Sequence, residues 1–343
     1  MKGRHRRWII AALFAAPIVS PGLPGAAGTP VAPAAPVPGT TCDVFPANNV
    51  WRMDIRGLPI HSKSATWKRA MHAASTKLHP DFGPPSYGMP YDVVDSSHPT
   101  VAIDFTYGGE SDFGPYPFGS DIHIEGGSDR HAIMVDQDTC TLYELFAARW
   151  NGGSPTAGSG AIFDLGSNTL RPKGWTSADA AGLPIFPGLV RYDEVQAGLI
   201  DHAIRVTADC TTDAFIWPAR HEAGVNDPSC PPMGARFRLR PHFPVKGYSM
   251  AARVVLRAMK RYGLIVADNG SDWYFQGKVD PSWTYAFVDQ LKRIPARAFD
   301  AVDETHCKAG GNAAFAYGRG CPAPLILSLR APGSSRRSSV PRE

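Results

Sequence analysis

His131 to Asp136 is rich in Ile, Met and Val; Cys140 to Phe146 alternates, with Leu, Tyr and Phe. The Asp-Gln-Asp-Thr run between them is turn chemistry, so Glu125 to Phe146 reads as the clearest hairpin in the chain. With Gln137-Asp138 as a two-residue loop, Asp136 faces Thr139. Val135, Ile133 and His131 then fall opposite Cys140, Leu142 and Glu144. Directly opposed residues share a face, with Cβ atoms roughly 5 Å apart. That register predicts a His131–Glu144 pair, led into by Glu125-Gly-Gly-Ser-Asp129. A sheet-edge salt bridge and a functional pair are both open readings of such an arrangement.

The same periodicities predict elements elsewhere. Ser64 to Leu78 carries a helical stripe of Trp67, Met71, Ala74 and Leu78, with Ser64 as N-cap. Ser249 to Tyr262 is the strongest helix, capped by Ser249 and closed by Gly263. Asp280-Pro281 opens a last helix to about Arg293, and Ser177–Ala181 has room for one helical turn. Thr100–Thr106, Ala161–Leu165, Ile200–Thr207, Ala214–Trp217, Ala235–Arg240 and Leu264–Ala267 read as short strands. Between Tyr107 and Gly119 lies a Gly/Pro loop bearing Tyr107, Phe113, Tyr116 and Phe118, the kind of long loop that often carries function. His202 shares the aliphatic side of its strand, the place of a core histidine with satisfied nitrogens. Many short strands with a few helices predict a mainly β fold with packed helices: a β-sandwich or a related single large β-rich domain.

Composition adds an address and a framework. Lys2, Arg4, Arg6 and Arg7 precede the apolar run Trp8–Ser20, and small residues follow at Gly25-Ala26-Ala27; residues 1–27 read as a signal peptide. Residues 28–41 are Pro/Ala-rich and read as a linker, 42–330 as the globular domain, and 331–343 as a disordered tail. The formal charge of +4 owes much to the two ends, and the body between them is slightly acidic, which removes the electrostatic case for nucleic acid. No later stretch has the length of a membrane helix. The expected product is a secreted, extracellular or periplasmic monomer. Six cysteines in an exported chain predict three disulfides. Pairing nearest neighbours gives Cys210–Cys230 and Cys307–Cys321, leaving Cys42–Cys140; a loop of ~15 residues closed this way is worth about 3 kcal/mol on the chain-entropy model.

Several long stretches also resemble a known family. GSDRHAIMVDQDTCTLYELF, GWTSADAAGLPIFPGLVRYDEV, WPARH, PPMGARFRL and YGLIVADNGSDWYFQG are similar to segments of a family of uncharacterised secreted bacterial β-rich proteins, some found beside carbohydrate-active modules. The resemblance runs from about Asn48 to Asp303 and implies an exported bacterial β-rich protein. It implies no catalytic residue.

No GxSxG elbow, HExxH helix or P-loop is present, and no motif asks for a cofactor. Glycosidic cleavage needs one carboxylic acid to protonate the leaving oxygen and one carboxylate as base or nucleophile. Glu125, Asp129, Asp179 and Asp268 lie beside Gly, Asn or aromatic-rich stretches, and with His131 they form the candidate catalytic set. Asn168, Arg171, Trp175, Trp217, Arg220, His221, Trp273 and Tyr274 offer the planar donors and flat apolar faces that sugars need. The expectation is a glycan-active hydrolase acting on a polysaccharide or cell-wall glycan; the alternative is a carbohydrate-binding or cell-surface module using the same aromatics. Asp before Gly or Asn is equally turn chemistry, and Trp is equally core. His123, Glu125, His131 and Glu144 form a further alternative, a His/carboxylate metal site on neighbouring strands. The expected cleft gathers Glu125–His131, Ala219–His221, the Asp179 loop and Asp268–Trp273.

Overall fold

The computed structural model describes residues 36–307. The segments read as signal peptide and tail, and Cys321, lie outside them. In chain order the elements are α1 (Ser64–Ala70), β1 (His79–Asp81), β2 (Asp92–Val94), β3 (Asp104–Phe105), β4 (Ala132–Asp136), β5 (Thr141–Phe146), β6 (Thr156–Ala157) and β7 (Ser159–Asp164). They continue with α2 (Tyr192–Ala197), β8 (Ile204–Ala208), β9 (Arg236–Leu239), α3 (Met250–Arg261), β10 (Leu264–Asn269), β11 (Tyr274–Gln276), α4 (Tyr285–Leu291) and β12 (Phe299–Ala301). One six-stranded sheet has the order β1-β11-β8-β10-β9-β12, a four-stranded sheet the order β2-β4-β5-β7, and β3 pairs with β6. The fold is β-rich with a few helices, as expected. Both larger sheets mix parallel and antiparallel pairs.

The hairpin forms, but its register differs from expectation. Asp136 faces Thr141, Val135 faces Leu142 and Ile133 faces Glu144, so the loop is Gln137–Cys140 rather than Gln137-Asp138. Asp136 is the reason: its Oδ1 accepts the backbone N–H groups of Asp138 and Thr139, and Cys140 takes a left-handed φ of 51°. The slip is two residues, which preserves the faces. His131 therefore still looks to the Glu144 side, but its partner in the carboxylate pair is Glu125.

The two faces of the four-stranded sheet bury different cores. Ile133, Val135, Leu142, Ala161 and Phe163 join the main cluster, shared with the six-stranded sheet. Ala132, Met134 and Leu145 pack with Tyr116, Phe118, Ile122 and Ile103 in a second, smaller cluster. Being covered on both sides, β4 is buried at every position.

Helix α3 is as its pattern predicts: the Ser249 hydroxyl accepts from Ala252 N, the stripe of Val254, Val255, Ala258 and Met259 is buried, and Gly263 has φ 77°. Its basic face is surface: Arg253, Arg257 and Lys260 donate to backbone carbonyls of Tyr248, Gly198, Pro241 and Phe243. The other helices are shorter than predicted. Helix α1 starts at Ser64, which is not its cap; that hydroxyl instead accepts Ala301 N. Helix α4 is capped by Thr284, while Asp280 makes the turn before it. Ser177–Ala181 is not helical, Ala214–Trp217 makes only an isolated bridge from Phe215 to Met233, and α2 was not legible in the pattern. Val37, at the end of the segment read as linker, is fully buried and donates its N–H to Cys42 O.

Cys42–Cys140 and Cys210–Cys230 are bonded as nearest-neighbour pairing predicts, and no cysteine among the described residues is free. No described helix is long and apolar enough to cross a membrane.

Trp273 corrects a sequence expectation. It is fully buried, packs against Phe237 and Phe299, and donates Nε1–H to Met71 O at 2.7 Å. It is core, not a sugar platform. Trp273→Ala is expected to cost about 3–5 kcal/mol in urea unfolding, with Trp273→Phe losing distinctly less; a change within error in the alanine variant would contradict this placement.

Candidate functional site

Arg205 is the centre of the polar interior. It sits on β8, fully buried, in a strand whose every residue is buried. Its guanidinium grips both oxygens of Asp179, with Nε–Oδ2 at 2.9 Å and Nη2 on Oδ1. Nη2 also reaches Asp268 Oδ2 at 3.5 Å. Burial lowers the pKa of this guanidinium, but the Asp179 charge and hydrogen bond, with the Asp268 and Glu125 charges, together hold it above its ordinary value.

Asp179 comes from an irregular segment that closes on its own hydrogen bonds. Ser177 Oγ donates to the Asp179 and Leu183 carbonyls and accepts Asp179 N; Ser159 on β7 donates to Ser177 O. Ala181 N donates to Ala267 O on β10, pinning the segment across the sheets. Gly182 is required there: its φ is 66°, and a Cβ would stand 2.4 Å from Trp175 O. Glu144 ties the far end, accepting Ile185 N and Phe186 N at 2.8–3.0 Å. Burial pushes this carboxyl up to about 7, against the pull of those two donors.

Asp268 owes its position to a bulge. Val266 pairs with Val206, but Asp268 pairs with Thr207, so β10 carries one extra residue at Ala267. The shift moves Asp268 from the aliphatic side to the side of Arg205, the re-aiming that bulges commonly provide. Burial, then the neighbouring Asp179 charge, drive its carboxyl well above the carboxylate range, against Arg205 and His131. The two carboxyls are in hydrogen-bond contact, which favours the protonated form of Asp268.

Asp268 opens onto a cavity of about 450 Å³ behind whose wall Asp179 is fully buried; Glu110, Ser159, Thr176 and His221 also line it, with Tyr107 and Phe146 as its aromatic walls. Glu110 Oε2 accepts Thr176 N at 3.2 Å and faces His221 Nε2 at 3.3 Å. His221 Nδ1 lies 2.8 Å from Ala180 O and must donate to it. That leaves Nε2 as the ring nitrogen facing Glu110.

His131 and Glu125 stand behind the cavity wall rather than in it. His131 Nδ1 meets Glu125 Oε2 at 2.7 Å, and Nε2 meets Ala178 O at 3.2 Å. Both partners only accept, so both nitrogens carry protons and the ring is a buried imidazolium. Burial alone lowers the His131 pKa, but the Glu125 hydrogen bond and charge outweigh it and hold it above the ordinary value. Burial likewise raises Glu125, and His131 more than reverses it.

The remaining sequence candidates divide. Asp129 is exposed and accepts only from Ser128 among side chains. Arg171 is buried, bonds Asp112 and the Glu110 carbonyl, and lies against Trp175, bracing the Glu110 loop. Arg220 Nε donates to Arg171 O. Trp217 and Arg220 line a neighbouring cavity. Asn168 and Tyr274 are away from the site: Asn168 bonds Asn48 and Asn49, and Tyr274 stacks on His79. His202 is the satisfied core histidine expected, between Ala203 O and the Glu194 carboxylate.

The metal alternative does not assemble. His123 is exposed and paired with Asp92, and Glu144 is committed to backbone N–H groups. Among the described residues the one group close enough to share an ion is Cys210, Asp227 and Cys230, and those cysteines are bonded to each other. Sequence reasoning missed Arg205, placed on the polar side of its strand, and Glu110; the aromatic loop carrying Glu110 was the available signal.

No family model, curated protein or solved structure matches this chain.

The His131–Glu125 pair has a pH signature. His131 is raised on folding, so its contribution is complete below its unfolded pKa and fades as pH rises through the folded value. Glu125 is lowered, so its contribution holds above the ordinary carboxylate value and fades as pH falls through the folded one. Glu125→Gln leaves a buried imidazolium unpaired and is expected to cost about 3–5 kcal/mol between those limits, shrinking at both extremes. Urea melts across pH check this; a pH-independent difference would contradict it.

Proposed function

We propose that this chain is an exported glycan-active hydrolase in which Asp268 is the general acid and Glu110 the opposing carboxylate. The observation that carries the reading is one cavity onto which both a carboxyl with a strongly raised pKa and a second carboxylate open, between aromatic walls. Cleaving a glycosidic bond needs a proton delivered to the leaving oxygen and a carboxylate opposite it. Asp179 and Asp268 touch each other, so no sugar fits between them; the working pair is therefore Asp268 with Glu110. Asp179 is wholly buried and does not meet substrate. Its charge keeps the proton on Asp268, while Arg205 is placed to stabilise the Asp268 anion once the proton has left. Tyr107, half exposed on the cavity rim, and Phe146 give a sugar ring flat apolar faces. Export is supported by the basic-then-apolar start of the chain and by disulfides, which persist in oxidising compartments.

Purified protein incubated with a polysaccharide panel is expected to release new reducing ends from at least one member. Asp268→Asn and Glu110→Gln should each lower that rate about 10²-fold or more. Because the acid must be protonated, the rate should fall as pH rises through the raised Asp268 pKa. Asp179→Asn removes the like charge and should move that alkaline limb to lower pH. Unchanged rates in both carboxylate variants would remove the acid–base assignment. Glycan binding with no release of ends by the wild type would favour a carbohydrate-binding module.

A further inference from the structure

A second cavity, of about 510 Å³, adjoins the first, and Glu222 lines both. The chain runs directly from Trp217 and Arg220 in the second to His221 and Glu222 in the first. The second cavity is walled by Phe215 and Trp217, both half-buried, and edged by Lys173, Arg220, Asp213 and Glu222. Among the described lining residues two cations stand beside two anions, so their formal charges balance. Donors and acceptors around a flat indole match the alternating hydroxyls and apolar face of a neutral sugar ring. The cavity is also braced: Gly174 N donates to Arg220 O, and Arg220 Nε to Arg171 O, so the segment that carries Lys173 is held against the wall that carries Arg220.

We propose that this second cavity is a binding subsite for a neutral sugar unit of the same glycan chain that the Asp268–Glu110 cavity cleaves. The inference rests on the glycan reading and extends it. With that subsite beyond the catalytic cavity, the enzyme holds consecutive sugars of one chain across both cavities.

The test uses ladders of neutral gluco-, manno- and arabino-oligosaccharides, from disaccharides upward, titrated into Asp268→Asn by calorimetry so that cleavage is slow on the timescale of the titration. Affinity for one ladder is expected to rise about tenfold once the chain is long enough to enter both cavities, a single stacked contact's worth. Adding Trp217→Ala should abolish that step while leaving disaccharide affinity unchanged, and Trp217→Phe should restore part of it. Without the Asp268 change, Trp217→Ala should slow cleavage of the polymer through KM, and by a larger factor than it slows the shortest substrate. Disaccharide binding with no gain on lengthening, or a gain that survives Trp217→Ala, overturns the subsite and leaves the catalytic cavity standing. No binding by any ladder to protein that melts like the wild type overturns both.

Discussion

A fully buried guanidinium is the constraint on which this structure turns. An uncompensated charge in a low-dielectric interior is prohibitive, and breaking a buried pair typically costs about 3–5 kcal/mol. Arg205 therefore dictates that a carboxylate reach it, and the reach determines local folding. Asp179 has to arrive bidentately from a segment with no regular ladder, so that segment is tied by Ser177, by the Ser159 hydroxyl and by the Ala181–Ala267 bond. The Ser159 tie joins the segment to the four-stranded sheet and the Ala181–Ala267 bond joins it to the six-stranded one. The irregular stretch is thus as well determined as a strand, although no periodicity announces it.

The same clamp creates the chemistry. Once Asp179 is committed to Arg205, a second carboxyl brought beside it by the β10 bulge meets a like charge and little water. Keeping its proton is the cheaper state. His131 enforces this arrangement from behind, holding Ala178 O next to Asp179 while Glu125 supplies its counter-charge. Glu125 and His131 act through position, whereas Asp268 and Glu110 face the cavity.

What the sequence made legible follows from what periodicity encodes. Helix α3 shows a clean amphipathic stripe and standard caps, and both came through. The hairpin strands were readable, but loop length depends on how Asp136 spends its oxygens, and that moved the register by two residues. Parity survived, so His131 kept its face and changed its partner. The convergence of Asp179, Asp268 and His221 was anticipated from composition, because charged and aromatic groups outside a regular pattern need specific partners. Arg205 was hidden because an alternating strand implies a wet side, and here the irregular segment carrying Asp179 covers it. Trp273 misled in the opposite sense: its Asn-Gly and Ser-Asp surroundings look like a surface loop, yet its indole is fully buried. The bulge that re-aims Asp268 leaves no trace in composition.

The central claim is a proton on Asp268 held there by the charge of Asp179. Carbon-13 labelling of aspartate carboxyls, followed by NMR titration, reads it directly. One resonance should titrate far above the others, vanish in Asp268→Asn, and move down toward the ordinary carboxylate range in Asp179→Asn. If every aspartate resonance titrates in the ordinary range, or the high one survives Asp268→Asn, the acid assigned to this site is not Asp268.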